Sequence, residues 1–232
     1  MEAEQKMETE QKMETEQKME TEQKQKKKNW SFDIFLAILI VGVIVGGYFY
    51  SQSLVKPVVN VNGTELTVNM TVQELVDAGF AVDDSMFDKG DMDLDMQPDI
   101  PGESYTSTFY YLYAPDQYGG YEYVNVVFQV FNKDVNSTEF KNSQIYSYQY
   151  DPSFTFSKAT VLINDIDFTN VTKEDAIAAF EELGVKFDAA DKEEFMSGER
   201  NIIFGKSGDY SYVIETDYTD GTVTNIEVNR NV

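Results

Sequence analysis

The chain has 232 residues, of which 41 are acidic and 18 basic, giving a net charge of −23. It contains neither Cys nor His, which excludes disulfides, thiolate chemistry, Ser-His-Asp and Cys-His nucleophile systems, and zinc sites built on sulfur or nitrogen ligands. The strong negative charge repels nucleic acid, so we expect no nucleic-acid partner.

Residues 1–29 consist mainly of a six-residue repeat, in which MEAEQK is followed by three copies of METEQK. On a helix, residues six apart are rotated by roughly 240°. The Met residues therefore form no continuous seam of the kind that a coiled coil needs. We predict a disordered cytoplasmic tail, with a partner-binding tail as the alternative.

Residues 30–50, WSFDIFLAILIVGVIVGGYFY, carry no charge after Asp33. A helix of this length would cover roughly 31 Å, which matches the hydrocarbon core of a bilayer. Trp30 and Tyr50 stand at its two ends, where amphipathic rings favour the headgroup level. The segment predicts a single transmembrane helix. A buried core helix and a cleaved signal peptide are the alternatives.

The basic residues predict the orientation of this segment. Four lysines lie just before it, whereas the first basic residue after it is Lys56. Because positive residues stay on the cytoplasmic side, the N-terminus is expected inside and the C-terminal part outside the cell membrane.

Residues 51–60 are predicted to form a stalk, and residues 61–150 a first extracellular module. In this module Thr71 and Glu74 have the spacing of a helical capping box, and Gly79 supplies a stop. Three strands are predicted after the helix, at 106–113, 121–131 and 143–150. In the second strand four apolar residues alternate onto one face, Val124, Val126, Phe128 and Val130.

Residues 151–232 are predicted to form a second module, which begins at Asp151-Pro152. Its helix is expected to run from an N-cap at Thr172 to Leu183, before Gly184. Strands are predicted at 202–204, 210–218 and 223–229. The predicted fold class is α+β, with two tandem modules that each pack a short helix on an antiparallel sheet of three to four strands.

The two modules share a short motif, since Asn69-Met70-Thr71 matches Asn170-Val171-Thr172. We predict an internal duplication as the explanation of this match, with chance similarity between two capped helices as the alternative. The order of elements resembles the tandem modules of the beta-lactamase-inhibitor-protein-like group. The whole chain resembles uncharacterised membrane-anchored surface proteins of Gram-positive bacteria. These resemblances imply a cell-surface location with an unassigned function, and they carry over no functional residue.

Alternating carboxylates at Asp91, Asp93 and Asp95 suggest a weak calcium site, because calcium takes six to eight oxygen ligands. The helix-loop-helix calcium motif is not matched, since Met96 stands where that motif has Gly. A solvated acidic loop is the alternative. No cofactor is predicted.

Tyr residues are concentrated in the strands of the first module. Tyr123, Tyr146 and Tyr148 are predicted ligand-binding residues, because aromatic rings on a sheet can stack on sugars or hold an extended peptide. Ordinary cross-strand packing is the alternative.

The predicted function is that of a non-enzymatic, single-pass membrane-anchored binding protein. Its expected partners, apart from the membrane, are a cell-surface protein, a peptide or a glycan. A carboxylate-dependent hydrolase of cell-envelope polymers and a structural spacer are the alternatives.

Overall fold

The computed structural model describes residues 36, 38–43, 45–47, 54–86, 92–154, 157–187, 195–197, 200–217 and 219–231. The chain divides into two compact units, one up to Ser53 and one from Leu54 to Val232. In the first unit the described residues are helical. Within the described part of the chain, no helix is both long enough and apolar enough to cross a membrane.

The predicted transmembrane helix is therefore not found among the described residues. A span needs about 20 consecutive apolar residues, and the longest described helical stretch between Trp30 and Tyr50 covers residues 38–43. The other positions of that segment and the repeat tail lie outside the described residues.

The second unit is built mainly from strands. Over the structure as a whole, 42% of residues lie in strands and 20% in helices, so the predicted α+β class is wrong and the fold is mostly β. The helices are α1 (Val72–Asp77) and α2 (Lys173–Leu183), and two 3₁₀ turns cover Leu94–Met96 and Phe140–Asn142. The strands are β1 (Val58–Val61), β2 (Thr64–Thr67), β3 (Ala81–Asp83), β4 (Ser104–Tyr105), β5 (Tyr110–Pro115), β6 (Tyr121–Asn132), β7 (Gln144–Tyr150), β8 (Val161–Ile163), β9 (Phe195–Ser197), β10 (Arg200–Ser207), β11 (Tyr210–Asp217) and β12 (Val223–Arg230).

These strands form two antiparallel sheets. The small sheet has the order β2-β1-β8. The large sheet has the order β3-β5-β6-β7-β12-β11-β10-β9, with β4 also paired to β6. Because β7 pairs with β12, strands from both predicted modules share one continuous sheet.

Both helices begin at the predicted caps. The Thr71 hydroxyl accepts a hydrogen bond from the Glu74 N–H, and the Glu74 carboxylate accepts one from the Thr71 N–H at 2.8 Å. The Thr172 hydroxyl accepts a hydrogen bond from the Asp175 N–H and so caps α2, and Gly184 ends this helix with a φ of 104°, a conformation that glycine adopts readily. The predicted positions of the two helices are confirmed.

The first half of the unit, from β1 to β7, and the second half, from β8 to β12, bond to each other reciprocally in the small sheet. Asn62 Oδ1 accepts from the Thr160 N–H at 2.9 Å, and Asn164 Oδ1 accepts from the Val58 N–H at 3.3 Å. The N–H of Asn62 donates to Thr160 O, and that of Asn164 donates to Val58 O. Asn62 thus corresponds to Asn164, and Val58 to Thr160. A rotation that exchanges the two halves also exchanges these hydrogen bonds, so the halves are related by a pseudo-two-fold axis.

The large sheet follows the same symmetry. Ile145 of β7 donates its N–H to Met70 O, and Val223 of β12 donates its N–H to Val171 O. Val223 therefore corresponds to Ile145, and β12 as a whole corresponds to β7. The shared motif seen in the sequence lies at equivalent places in the two halves.

The prediction of two modules with separate sheets is thus wrong. Two such modules would leave β7 and β12 as open edges, and the unpaired N–H and C=O groups of an edge strand favour pairing with another strand. The structure pairs these two strands with each other, from Ile226 opposite Tyr150 to Asn229 opposite Ser147.

One hydrophobic core joins both sheets and both helices. β6 contributes the four fully buried side chains that alternation predicted, Val124, Val126, Phe128 and Val130. Leu75 of α1 is equally buried. Phe180 of α2 packs on Tyr212 of β11, with ring centroids 5.0 Å apart. We call the face of the large sheet that carries Val124, Val126, Phe128, Val130 and Tyr212 the inner face, and the opposite face the outer face.

Candidate functional site

Tyr148, one of the predicted ligand-binding residues, lies in the core. Its side chain is 1% exposed, and its ring centroid is 6.3 Å from that of Phe128. Burial raises the pKa of its phenol far above the usual value. Its hydroxyl has no hydrogen-bond partner among the described residues. A buried side chain of this kind cannot contact a ligand at the surface.

Tyr146 lies on the outer face instead, because the pairing of β6 with β7 shifts register between Gln129 and Val130. Val130 pairs with Ile145 and Gln129 with Ser147, so Tyr146 is the extra residue of a β-bulge. The Tyr146 hydroxyl donates to Gln129 Oε1 at 3.0 Å. The bulge therefore separates Tyr146 from Tyr148, which strict alternation had placed together.

Tyr146 belongs to a small aromatic group on the outer face. Its ring meets that of Tyr105 edge to face, with centroids 4.8 Å apart. Tyr105 also packs on Phe131, at 4.5 Å. Tyr105 is half exposed, so this group presents one aromatic surface to solvent.

Tyr123 lies at the other end of β6, roughly 20 Å along the strand from Gln129 at about 3.3 Å per residue. Its ring packs against three others, with centroids 5.6 Å from Tyr111 and 5.9 Å from both Tyr113 and Phe154. Burial, followed by the neighbouring Tyr111, raises the pKa of its phenol. The structure does not bring Tyr123 and Tyr146 together into one site.

The predicted calcium ligands have other roles where they are described. Asp93 Oδ1 accepts from the Asp95 N–H at 3.0 Å and caps a 3₁₀ turn. The Asp95 carboxylate accepts from Lys141 Nζ at 2.6 Å, and this contact raises the pKa of Lys141. Asp91 lies outside the described residues. Within the described ranges, no three acidic side chains are grouped to hold a metal ion.

A groove of about 610 Å³ lies on the side of the unit where β1 begins. Its walls come from the two residues before β1, the end of β2 with the segment that follows it, α1 and the start of β11. The side chains important for its chemistry are Lys56, Thr67, Asn69, Glu74 and Tyr210. We call it the Lys56 groove. Both halves of the fold build it, because Tyr210 belongs to the second half.

Arg230 adds a second cation beside this groove. Its Nη1 donates to Asn69 Oδ1 at 2.6 Å, and Arg230 lies directly opposite Tyr210 in the sheet. Lys56 is exposed and Arg230 half-buried. Among the described residues, neither has a carboxylate within ion-pair distance. One cation therefore lines the groove and a second lies beside it, and neither forms an ion pair with a described carboxylate.

Asn69 is held firmly by its backbone. Its φ of 96° lies in the left-handed region, which Asn tolerates better than most residues. Its N–H donates to Ile145 O at 2.7 Å. Glu74, the acidic residue of the lining, uses one carboxylate oxygen in the capping box of α1. These bonds fix the shape of the groove where Arg230 approaches it.

Sequence reasoning missed the Lys56 groove because its residues are distant in the chain. Asn69 and Arg230 are separated by 161 positions, and only the pairing of the two halves brings them together. The sequence motif at Asn69 was interpreted as part of a helix cap.

The comparisons with family models, curated proteins and solved structures give no match.

Proposed function

We propose that the chain is a membrane-anchored binding protein whose Leu54–Val232 unit faces outward. The observation that carries the proposal is the Lys56 groove. Its volume of about 610 Å³ falls in the range of pockets that hold small molecules or parts of larger ligands. It also combines an aromatic ring, Tyr210, with polar groups that can orient a ligand.

The carboxylates favour binding over the alternative of a carboxylate-dependent hydrolase. Hydrolysis of glycosidic bonds generally needs two carboxyl groups that face each other. Among the described residues, Asp83 is the one buried acidic side chain, and its Oδ1 accepts a hydrogen bond from the Ser85 N–H at 3.3 Å. The outer-face carboxylate of Glu227 is likewise occupied by donors from Ser147 and Gln149.

The proposal is tested by light-induced crosslinking in living cells. A photoreactive phenylalanine analogue replaces Thr67, an exposed residue of the groove lining, in the full chain. The matched control places the analogue at Thr169, which is exposed outside the groove lining. We expect a discrete adduct from position 67 and none from position 169. Equal or absent crosslinking at the two positions would refute a binding role for the groove.

The outward location is supported by the lysines that precede the apolar segment, Lys24, Lys26, Lys27 and Lys28. Protease added to intact cells is expected to digest the chain after Tyr50 and to spare residues 1–28, as followed with tags at the two ends. Digestion of the N-terminal repeat with protection of the C-terminus would reverse the proposed orientation.

A further inference from the structure

The Lys56 groove has a feature that goes beyond a general binding role, and the inference drawn from it rests on the proposed function. The chain has two arginines, Arg200 and Arg230. Arg230 is half-buried beside the groove. A guanidinium group has five N–H donors, and the described residues supply Arg230 with one side-chain acceptor, Asn69 Oδ1. The group thus keeps donors available for a ligand.

We propose that the Lys56 groove binds an oxyanion, a carboxylate or a phosphate group of its ligand, through Arg230 and Lys56. A planar guanidinium matches both groups with two parallel hydrogen bonds, and such charge-assisted bonds are about twice as strong as neutral ones. Lys56 adds an exposed positive charge just before β1, and the Tyr210 hydroxyl adds a donor. Glu74 opposes the anion, but its carboxylate already accepts the Thr71 N–H.

The pseudo-two-fold axis indicates that the scaffold itself does not require Arg230. Counting from the equivalent pair Val223 and Ile145, Arg230 at the end of β12 corresponds to Pro152, which lies two residues after the end of β7 and has no side-chain donor. Counting along β1 and β8 from Asn62 and Asn164, Lys56 corresponds to Lys158. The lysine is thus present in both halves, whereas the arginine occurs only at the groove.

Nuclear magnetic resonance of the arginine side chains tests this inference in the full chain. With two arginines, the Nε–H region holds two signals, which the Arg230→Lys variant assigns. The probes are inorganic phosphate and N-acetylalanine, and the neutral control is N-acetylalaninamide. We expect one or both anions to shift the Arg230 signal to saturation, while the Arg200 signal and the amide control show no saturable change. Saturation by phosphate alone or by the carboxylate alone identifies the group that is bound.

Two matched variants separate binding from general charge effects. Lys56→Gln is expected to lower the affinity for the anion about tenfold or more, since hydrogen bonds to charged groups contribute about 1.5–3 kcal/mol. Lys158→Gln removes the same charge at the equivalent place in the other half and is expected to leave the affinity unchanged. Arg230→Lys keeps the charge but removes the planar pair of guanidinium donors, so it is expected to weaken anion binding. Because this variant lacks the Arg230 signal, its affinity is measured from the backbone amide of Asn69.

The inference is overturned if the two arginine signals move alike and without saturation. It is also overturned if Lys56→Gln and Lys158→Gln lower the affinity for the anion equally. A crosslink at Thr67 without any anion effect would leave the proposed binding function standing and refute the oxyanion alone. Saturable anion binding without a crosslink would support the oxyanion site and show that no ligand occupies the groove in living cells, which refutes the proposed function alone.

Discussion

At the scale of single residues, Tyr148 places a phenolic hydroxyl in the core without a hydrogen-bond partner among the described residues. A buried polar group without a partner costs about 1–3 kcal/mol. We therefore expect Tyr148→Phe, which removes the oxygen and keeps the ring, to leave the free energy of unfolding unchanged or to increase it. Chemical denaturation of the full chain measures this. A loss of more than about 1 kcal/mol would reveal a partner for the hydroxyl.

The same phenol makes stability depend on alkaline pH. Burial raises the pKa of Tyr148 in the folded chain, whereas the unfolded value is about 10. Ionisation of this phenol therefore does not affect stability below pH 10; above that value it favours the unfolded chain, and stability is lost as the pH rises. Burial raises the pKa of Tyr123 and Tyr212 as well. Tyr148→Phe is therefore expected to reduce the loss of stability between pH 10 and 12 without abolishing it, as measured by denaturation at each pH.

At the scale of elements, the two helix caps make matched predictions. Thr71 and Thr172 each accept an N–H of the first turn through their hydroxyls. Replacing either by Ala is expected to lower the free energy of unfolding by about 0.5–2 kcal/mol, and replacing it by Ser to change it much less. Thermal unfolding of the four variants tests this. Ala variants as stable as the Ser variants would show that the caps contribute nothing.

Local signals in the sequence predicted the elements well. The capping residues located both helices, and the alternation from Val124 to Val130 identified the buried face of β6. Such signals depend on neighbours a few positions apart. The bulge at Tyr146 escaped prediction because strict alternation assumes an unbroken ladder, and one extra residue moves the next side chains to the other face.

At the scale of the whole molecule, pairing between distant strands was beyond what the sequence could specify. β1 pairs with β8 at Val59 and Ile163, which are 104 positions apart, and β7 pairs with β12 at Tyr150 and Ile226, which are 76 positions apart. Hydrophobic alternation shows that a strand has a buried face, but it does not name the neighbouring strand. The Lys56 groove depends on these pairings, since Asn69 and Arg230 meet only when the halves are joined. For this reason the groove was missed, together with the continuous sheet.

The central claim is that Leu54–Val232 is one fold with a shared core, made of two halves joined about a pseudo-two-fold axis. Native-state hydrogen exchange of the full chain carrying Leu75→Ala tests it most directly. Leu75 is fully buried in the first half, so its truncation is expected to cost about 2–5 kcal/mol. Val135→Ala, at a position 80% exposed, is the control. We predict that Leu75→Ala lowers the protection of the slowest amides of β6 and β11 by the same free energy. Loss of protection in β6 with full protection in β11 would contradict the claim.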